Sequence, residues 1–382
     1  MVASSTVIEG RTKLSVPTSS LGTPEPPTSP VFFNPAASVN RDITVALTCA
    51  TSGKTFLDSL AGVGARGVRV AKEVDREVQV TLLDFNDESL AFARQSVKLN
   101  SVERTCSVVS GEANTYLHSR FGRDQRFDYV DVDPFGSPAA FVQGAARATA
   151  GGGIISLTAT DTAVLCGVYP AVARRRYGIA AMSNHFRHET GLRVLLNFLR
   201  RTAAGMDIGV SPVLAHSTRH YMRVYARIEV GASKADRAMT NEGYLAECAS
   251  CGHIWAAPHE AGACAKCGGK VRVAGPVWVG SLVDEGLVRL AARRAGELGL
   301  GAAAAVLKSL QGVGGLPPFG YSVESICSAL RVPSVSDLSV IEGLERLGYR
   351  CCRQPFEKTG IKSDAEYAEV LQVVKDLSGS LA

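Results

Sequence analysis

The sequence has no apolar run near the roughly 20 residues that a membrane-spanning helix needs. Its first residues lack the basic and then apolar layout of a secretory signal, and its formal net charge is only +5. A mild positive charge is compatible with a polyanionic partner but does not identify one. We therefore expect a chain without membrane segments that works in the cytoplasm.

The ten cysteines do not form the pattern of a disulfide-stapled protein. Six are scattered, and in a chain of 382 residues this usage suggests a reducing compartment. The other four form two C-x-x-C pairs about a dozen residues apart, each followed by glycine. They are Cys248, Cys251, Cys264 and Cys267. This spacing predicts a tetrahedral zinc site, and because four thiolates fill every ligand position the zinc should be structural.

The length of the chain predicts about two domains. The composition changes at residues 231–237, which we interpret as a linker. We therefore expect a larger α/β domain at residues 1–235 and a smaller zinc-containing α/β domain at 236–382. A long predicted helix at 283–298 in the second part carries several arginines and suggests a surface that binds RNA.

A glycine-rich turn separates the first two predicted strands of the larger domain. The strand at residues 55–60 leads into Gly62, Gly64 and Gly67, which match G-x-G-x-x-G at the start of a helix. The next strand ends in Asp84, and an acid about 20 residues after the first glycines can bind two ribose hydroxyls. This pattern predicts a nucleotide-type cofactor, but by itself it leaves open whether the ligand is a dinucleotide or S-adenosylmethionine.

Four predicted strands of the same sheet end at an acid: Asp58, Asp84, Glu112 and Asp133. In a doubly wound sheet the carboxyl ends of the strands line one crevice, so these acids should form a site rather than solvated surface charge. Two later strands, at 207–215 and 221–230, are joined by a short turn and should form an antiparallel hairpin at the sheet edge. The predicted fold class is therefore α/β, a doubly wound Rossmann-like sheet with an antiparallel edge hairpin.

The most specific chemistry follows the strand at residues 127–132. There the chain reads Asp133-Pro134-Phe135-Gly136, in which proline cannot continue a ladder and glycine permits a sharp turn. The carboxylate of Asp133 and the carbonyl of Pro134 can together accept both hydrogens of an exocyclic amine, and Phe135 can stack on the ring that carries it. These groups suit methyl transfer to an amino group of a nucleobase. For an isolated Asp-Pro-Phe, an ordinary strand and turn would be the simpler interpretation.

Two further groups of residues have a structural interpretation beside the functional one. Arg41 precedes a predicted helix at residues 43–50, where a cation is unfavourable unless it faces an anion. A solvated surface arginine is the simpler interpretation. His185, His188 and Glu189 lie at the start of a later predicted helix. They could bind a metal, but capping or supporting roles are favoured.

With these residues assembled, the chain resembles the Trm1 family of tRNA (guanine-N2) dimethyltransferases over nearly its whole length. The resemblance depends on stretches that occur in the same order, at residues 7–10, 33–42, 58–62, 131–138, 158–162, 188–193 and 215–217. It implies a methyltransferase domain at 1–235 and a tRNA-binding domain at 236–382. It also implies S-adenosylmethionine as methyl donor and guanine 26 of tRNA as target, giving N2,N2-dimethylguanosine through the monomethylated base. We expect tRNA as the partner and a monomeric chain.

The resemblance also implies roles for individual residues. It places donor contacts at Arg41, Arg66, Asp84, Glu112 and Ala113, and chemistry at Asp133 with Pro134 and Phe135 beside it. The glycine pattern adds Asp58, Gly62 and Gly64 to the donor site.

The chain departs from the family pattern in three places. Glu112 stands where the family more often has aspartate, residues 361–365 read Ile-Lys-Ser-Asp-Ala instead of Ile-Lys-Thr-Asp-Ala, and residues 350–356 also diverge. The last two departures concern tRNA docking rather than the reaction.

Three other functions fit parts of the sequence. A nicotinamide oxidoreductase would share the glycines and Asp84 but would not explain residues 133–135. A non-catalytic RNA-binding module would use the zinc domain, but it would not need every strand-end acid. The nearest alternative is an enzyme that adds one methyl group to guanine N2 at another RNA site.

Overall fold

The computed structural model describes residues 2–23, 25–120, 125–259 and 261–379. Its strands are β1 (Ser4–Glu9), β2 (Thr12–Pro17), β3 (Thr55–Asp58), β4 (Gln79–Asp84), β5 (Cys106–Ser110), β6 (Phe127–Val132), β7 (Thr149–Ala159), β8 (Ile208–Thr218), β9 (Tyr221–Val230), β10 (Glu242–Cys248), β11 (Ile254–Ala257), β12 (Val271–Trp278), β13 (Cys351–Arg353) and β14 (Ile361–Ser363).

The helices of the same residues are α1 (Ser38–Cys49), α2 (Ala65–Glu73), α3 (Asp87–Leu99), α4 (Ala113–Ser119), α5 (Val142–Ala148), α6 (Thr162–Leu165), α7 (Pro170–Tyr177), α8 (Arg187–Ala204), α9 (Ala232–Met239), α10 (Glu285–Glu297), α11 (Gly301–Ser309), α12 (Val323–Leu330), α13 (Asp337–Arg346) and α14 (Tyr367–Gly379). None of these helices is both long and apolar enough to cross a membrane.

Strands β3 to β9 form one seven-stranded sheet in the order β5-β4-β3-β6-β7-β9-β8. Neighbours from β5 to β7 pair in parallel, whereas β9 pairs antiparallel with both β7 and β8. The chain order reverses between β3 and β6, and in open α/β sheets ligands bind at such a switch point. In the register of the sheet, Asp58 lies opposite Asp131 on the neighbouring strand. The predicted fold class, including the edge hairpin, is confirmed.

Helix α1 connects the sheet to the second part of the chain. The residues from Asn40 to Cys49 are all buried, and the hydroxyl of Thr44 lies 3.1 Å from the hydroxyl of Tyr225 in β9. Helices α10 and α11 pack on α1, and their apolar residues belong to the same buried cluster as those of the sheet. The regions before and after residue 235 therefore share a core, while the domain boundary itself stays a prediction.

One local prediction differs from the structure. The predicted linker at 231–237 is mostly helical, because it overlaps helix α9, which packs on α8 and β8. The glycines at 151–153 lie inside β7, because α5 ends at Ala148. A Cβ atom on Gly153 would stand 2.8 Å from the carbonyl oxygen of Asp128, so glycine permits the close approach of β6 and β7.

The second part of the chain adds a three-stranded sheet in the order β11-β10-β12 and a short β13–β14 ribbon. A separate buried cluster forms among α12, α13 and α14, and it includes Val340, Leu344 and Val374. The N-terminal hairpin β1–β2 instead belongs to the first core, because Leu14 and Val16 are buried there and the amide of Ser15 donates to Ser96 Oγ at 2.9 Å.

Candidate active site

The glycine turn after β3 lies beside the acid that ends β4. Gly62 and Gly64 have φ values of +53° and +75°, which favour glycine, and the amide of Gly62 donates to Asp84 Oδ2 at 2.8 Å. The other oxygen of Asp84 accepts from the amide of Asn86 at 2.9 Å. A Cβ atom on Gly67 would stand 2.2 Å from the Leu82 side chain, so this glycine lets α2 approach the sheet. The structure thus brings the predicted glycines and Asp84 together.

Asp58 lies at the same edge of the sheet, but it is buried below the crevice that the strand-end acids were predicted to line. Its side chain is buried, and Oδ2 accepts from the amide of Gly67 at 3.2 Å. Burial and the nearby charge of Asp131 raise the pKa of Asp58 to about 7, against the opposing effect of Arg66. Asp58 therefore stabilises the turn, and a direct donor contact stays a prediction.

Glu112 and Ala113 lie where β5 passes into α4. The Glu112 carboxylate is the N-terminal cap of this helix and accepts from the amides of Thr115 at 2.7 Å and Asn114 at 2.9 Å. These hydrogen bonds lower the pKa of Glu112. Ala113 is buried. The amide of Gly111 donates to the Asp84 carbonyl at 3.0 Å, so this turn adjoins the Asp84 end of the crevice.

Arg41 is not the solvated surface residue of the simpler interpretation. Helix α1 begins at Ser38, three residues earlier, and Arg41 is only 7% exposed. Its Nε atom donates to Glu9 Oε1 at 2.6 Å, and its guanidinium lies 5.1 Å from the centre of the Phe33 ring. The anion is therefore supplied by β1, and Arg41 with Arg69 lowers the pKa of Glu9 although burial raises it. Glu9 lies in the first stretch that carried the family resemblance.

The Asp133–Gly136 turn leaves β6 as predicted. Gly136 has a φ of +74°, its amide donates to Thr160 Oγ1 at 2.8 Å, and its carbonyl accepts from the Thr160 amide at 2.8 Å. The turn is therefore fixed to the end of β7. The Asp133 side chain is 29% exposed and reaches the surface of the crevice.

Phe135 is 64% exposed. Its ring meets that of Phe32 edge to face, with the ring centres 4.8 Å apart and an interplanar angle of 73°. Sequence reasoning did not assign Phe32 a role. The available signal was its position directly before residues 33–35, which belong to the resemblance.

Arg66 binds the Asp133 carboxylate. Its Nη2 atom donates to Asp133 Oδ2, its Nε atom lies 3.0 Å from Asp131 Oδ1, and its Nη1 atom donates to Asn40 at 2.9 Å and Thr44 at 2.8 Å. The buried guanidinium thus joins two acids of the β6 end. Its predicted contact with the donor stays a prediction.

Sequence reasoning missed Asp131 and Arg223. Asp131 has no exposed side-chain surface; its Oδ2 atom accepts from Ser156 Oγ at 2.6 Å and from Arg223 Nη2. Although burial raises it, the pKa of Asp131 is lowered by Arg223 and Arg66. The available signal for Asp131 was its position: it is an acid near the C-terminal end of a strand that must be buried on both faces. Arg223 gave no local signal, because its partner is 92 residues away in sequence.

Glu189 also has a role that its neighbours in sequence do not reveal. It is fully buried in α8 and lies 2.7 Å from Arg193 Nη2 and 3.0 Å from Lys362 Nζ. His188 Nδ1 instead lies 2.6 Å from Glu357 Oε2, and the amide of His188 donates to the same carboxylate at 2.6 Å. His188 and Glu189 therefore have supporting roles, as favoured from the sequence, because they join α8 to the C-terminal part of the chain.

The four predicted zinc ligands form one cluster, and all their Sγ atoms lie within 4.8 Å of one another. The Sγ atoms of Cys248 and Cys267 are 3.4 Å apart, and those of Cys251 and Cys264 are 3.8 Å apart. Tetrahedral zinc with bonds of about 2.3 Å places its sulfurs about 3.8 Å apart, so the cluster fits the ion. The glycine after each pair has a φ near +70°, and its amide donates back to the first cysteine of the pair.

A mostly parallel sheet of this order, with an acid beside its glycine turn and the Asp133–Gly136 turn at the end of β6, defines a doubly wound α/β protein with a nucleotide-type crevice at its switch point. Comparison with known proteins narrows this class. The chain belongs to the N2,N2-dimethylguanosine tRNA methyltransferase family, whose model matches residues 10–375. The family resemblance found in the sequence is confirmed.

Individual relatives match over almost their full length. The tRNA (guanine(26)-N(2))-dimethyltransferase of Methanopyrus kandleri is 38% identical over 98% of this chain and 97% of its own length. The enzyme of the same name from Methanosarcina acetivorans is 34% identical, with 98% and 99% covered. The solved structure of Trm1 from Pyrococcus horikoshii with S-adenosyl-L-methionine matches with a TM-score of 0.84 at 29% identity, over 96% of this chain and 99% of that one.

Proposed function

We propose that this chain transfers methyl groups from S-adenosylmethionine to the exocyclic N2 amine of guanine 26 in tRNA. The product is N2,N2-dimethylguanosine, formed through N2-methylguanosine. Family membership and the names of the full-length relatives support this function. The observation in the chain itself that carries it is the Asp133–Pro134 turn, with an exposed Phe135 beside a nucleotide-type crevice.

The turn addresses the main difficulty of the reaction. The lone pair of the guanine amine is delocalised into the ring, so the nitrogen is a poor nucleophile. Asp133 Oδ1 and the Pro134 carbonyl would each accept one N–H of the amine, which favours a tetrahedral nitrogen whose lone pair is localised. As the new N–C bond forms, the bond from the methyl group to the sulfur of the donor would break and leave a neutral thioether, and the Asp133 carboxylate would take the proton that the nitrogen releases. The donor supplies an electrophilic methyl group. Correct positioning of the amine and the methyl group would therefore provide much of the remaining decrease in the activation barrier.

Two aromatic rings beside the turn would receive the base. A guanine inside the tRNA must leave its stack before its amine can reach Asp133. Phe135 offers an exposed face for stacking, and Phe32 stands edge-on beside it. Stacking of a base on an aromatic side chain is worth about 1–3 kcal/mol, which would offset part of the cost of unstacking.

The residues of the crevice would hold the donor. The Asp84 carboxylate would accept hydrogen bonds from ribose hydroxyls, and Gly62 and Gly64 would let the backbone approach the ligand. The remaining proposed donor residues are Arg41, Asp58, Arg66, Glu112 and Ala113. In this structure the two arginines bind Glu9 and Asp133, so a donor carboxylate would share or replace those partners.

The second part of the chain would hold the tRNA, with structural zinc on Cys248, Cys251, Cys264 and Cys267. A cytoplasmic location and a monomeric state remain predictions. The alternative of a single methylation at another RNA site stays open to the same experiment. The nicotinamide oxidoreductase is set aside because the family is one of methyltransferases.

The test is nucleoside mass spectrometry of tRNA incubated with the protein and methyl-labelled S-adenosylmethionine. We expect labelled N2,N2-dimethylguanosine at position 26 and no label in a matched tRNA carrying adenine there. Label that stops at N2-methylguanosine, or that appears at other positions of both tRNAs, would favour the alternative. An absence of label would contradict the proposed function.

A further inference from the structure

Four side chains of alternating charge lead from the interior of the sheet to the Asp133 turn. Arg223 binds one oxygen of Asp131, the other oxygen of Asp131 lies 3.0 Å from Arg66 Nε, and Arg66 Nη2 binds Asp133. The side chains of Arg223 and Asp131 have no exposed surface, and that of Arg66 is 5% exposed. We call these four side chains the row. Only its last member, Asp133, reaches the crevice.

Sheet register and hydrogen bonds fix the inner half of this row. Asp131 in β6 lies opposite Ser156 in β7, and Thr158 in β7 lies opposite Arg223 in β9. Arg223 donates to the hydroxyls of Ser156, at 3.0 Å, and Thr158, and its guanidinium lies 4.6 Å from the centre of the Tyr225 ring. A planar guanidinium with several donors suits such a fixed bridge better than an ammonium group would.

Stability alone is a weak reason for this arrangement. A buried ion pair pays a large desolvation penalty, and well-packed apolar residues of the same volume often stabilise a protein as much. Buried charge networks are better explained when they hold a group in one geometry. Here the outer end of the row is Asp133, the group that must accept the amine proton.

Arg66 links the position of Asp131 to that of Asp133, because it contacts both carboxylates. Three of its sides are occupied by Asp131, Asn40 and Thr44, so the guanidinium has one orientation toward Asp133. Without Asp131 the cation would lose its fixed counter-charge and could tilt toward Asp133 alone. Without Arg223 the Asp131 carboxylate would keep Arg66 as its only cationic partner and could shift with it.

We propose that Asp131 and Arg223 are positioning residues for methyl transfer, which fix Arg66 and through it the carboxylate of Asp133. The proposal rests on the role given to Asp133 in the proposed function. Neither residue touches the base or the donor in this account.

The electrostatic consequences of the row have a definite sign. The other titratable groups near Asp133, Arg66 and Arg223 are Asp58 of β3, His216 of β8 and Tyr221 and Tyr225 of β9, and none of these is altered in the variants below. Removing the negative charge of Asp131 leaves the surroundings of the reaction centre more positive by one unit. Removing the positive charge of Arg223 has the opposite effect. The acid limb of the pH–rate profile should therefore move to lower pH in Asp131→Asn and to higher pH in Arg223→Gln.

The experiment compares Arg223→Gln with Arg200→Gln in the full chain. Arg200 is an equally buried arginine on α8 that pairs with Glu242 and binds none of the four residues of the row. Donor affinity is measured by calorimetry, thermal unfolding by calorimetric scan, and methyl transfer in single turnovers with saturating tRNA and donor across pH. We expect both variants to lose thermal stability. Only Arg223→Gln should also lose about tenfold or more in rate, since small displacements of a catalytic group can cost about 10²-fold.

Two further variants keep the proposal testable. Arg223→Lys retains the charge but not the planar bridge, so its rate should fall while its acid limb stays near that of the wild type. If Arg223→Gln does not fold, Thr158→Val removes one acceptor of Arg223 and should lower the rate severalfold with unchanged donor affinity.

Equal rates in Arg223→Gln and Arg200→Gln, or acid limbs that do not move in opposite directions in Asp131→Asn and Arg223→Gln, would overturn the proposal. Those results would leave the proposed function intact. Inactivity of the wild-type chain on tRNA would instead contradict the proposed function itself.

Discussion

Removing the charge of Glu189 should strongly destabilise the folded chain, because two buried cations would lose their partner. Glu189 is fully buried and faces two cations, Arg193 and the buried Lys362. It also accepts from the amide of Phe319 at 2.8 Å and from Gln354 Nε2 at 2.8 Å. Residues of α8 and of the C-terminal region therefore share one carboxylate. Glu189→Gln keeps the shape of the side chain, removes its charge and leaves one acceptor oxygen instead of two.

The structure sets the size of the effect. Breaking a buried ion pair from one side costs about 3–5 kcal/mol, because the remaining charge is left uncompensated. Lys362 could escape this cost by losing its proton. From an ordinary pKa of 10.5, that release at pH 7 costs at most about 5 kcal/mol, at 1.36 kcal/mol per pKa unit. Burial already lowers the pKa of Lys362, so the true cost lies below this limit. We expect a loss of about 3–4 kcal/mol in the free energy of unfolding.

The measurement is urea unfolding of the wild type, Glu189→Gln and the control Asp364→Asn. Asp364 pairs at the surface with Arg350, and its loss should change stability little. Lys362 and Arg193 lower the folded pKa of Glu189 although burial raises it, so its stabilisation is present above about pH 4.5 and is lost as the pH falls through the folded pKa. The gap between the wild type and Glu189→Gln should therefore narrow in acid. A gap below about 1 kcal/mol at pH 7, no larger than that of the control, would show that losing the charge of Glu189 does not leave a costly uncompensated cation.

Three further predictions concern the active site and the zinc centre. Asp84→Ala should weaken S-adenosylmethionine binding at least tenfold, about 1.4 kcal/mol, since a charged hydrogen-bond acceptor is lost; unchanged affinity in calorimetry would contradict this. Protein purified without chelator should contain one zinc ion per chain, with four sulfurs at about 2.3 Å in X-ray absorption, and metal analysis without zinc would exclude the centre. Phe135→Ala should raise the tRNA concentration needed for half-maximal rate or lower the rate by about tenfold or more, since about 1–3 kcal/mol of stacking is lost; kinetics like those of Phe135→Tyr would argue against stacking.

Local patterns predicted the parts of the site that local geometry determines. A glycine with positive φ and an acid at a strand end are visible in a few residues, so Gly62, Gly64 and Asp84 were found together. The cluster of four cysteines was found for the same reason, because C-x-x-C-G sets its own turn. Strand-end positions also placed Asp133 at the correct edge of the sheet.

Partners distant in sequence could not be predicted. Before the resemblance was considered, the local sequence favoured a surface position for Arg41, because its anion, Glu9, comes from a hairpin that precedes it by 32 residues. Lys362 lies in a stretch that suggested tRNA docking, yet it is buried against Glu189, 173 residues away. Arg223 was passed over because only the β7–β9 register brings it to Asp131. Each of these charges is explained by sheet and helix packing rather than by its neighbours in the chain.

The central claim is that Asp133 accepts the guanine amine and takes its proton, and single-turnover methylation by Asp133→Asn tests it most directly. Asparagine keeps the size of the side chain but has one acceptor oxygen instead of two and no useful basicity. Asp128→Asn, at the opposite end of β6, where the carboxylate accepts from the Lys54 amide at 2.7 Å, is the matched control. With saturating tRNA and donor, Asp133→Asn should lose on the order of 10²-fold or more in rate with little change in donor affinity, while the control stays near the wild type. A rate for Asp133→Asn within a few-fold of the wild type would show that Asp133 does not take the amine proton.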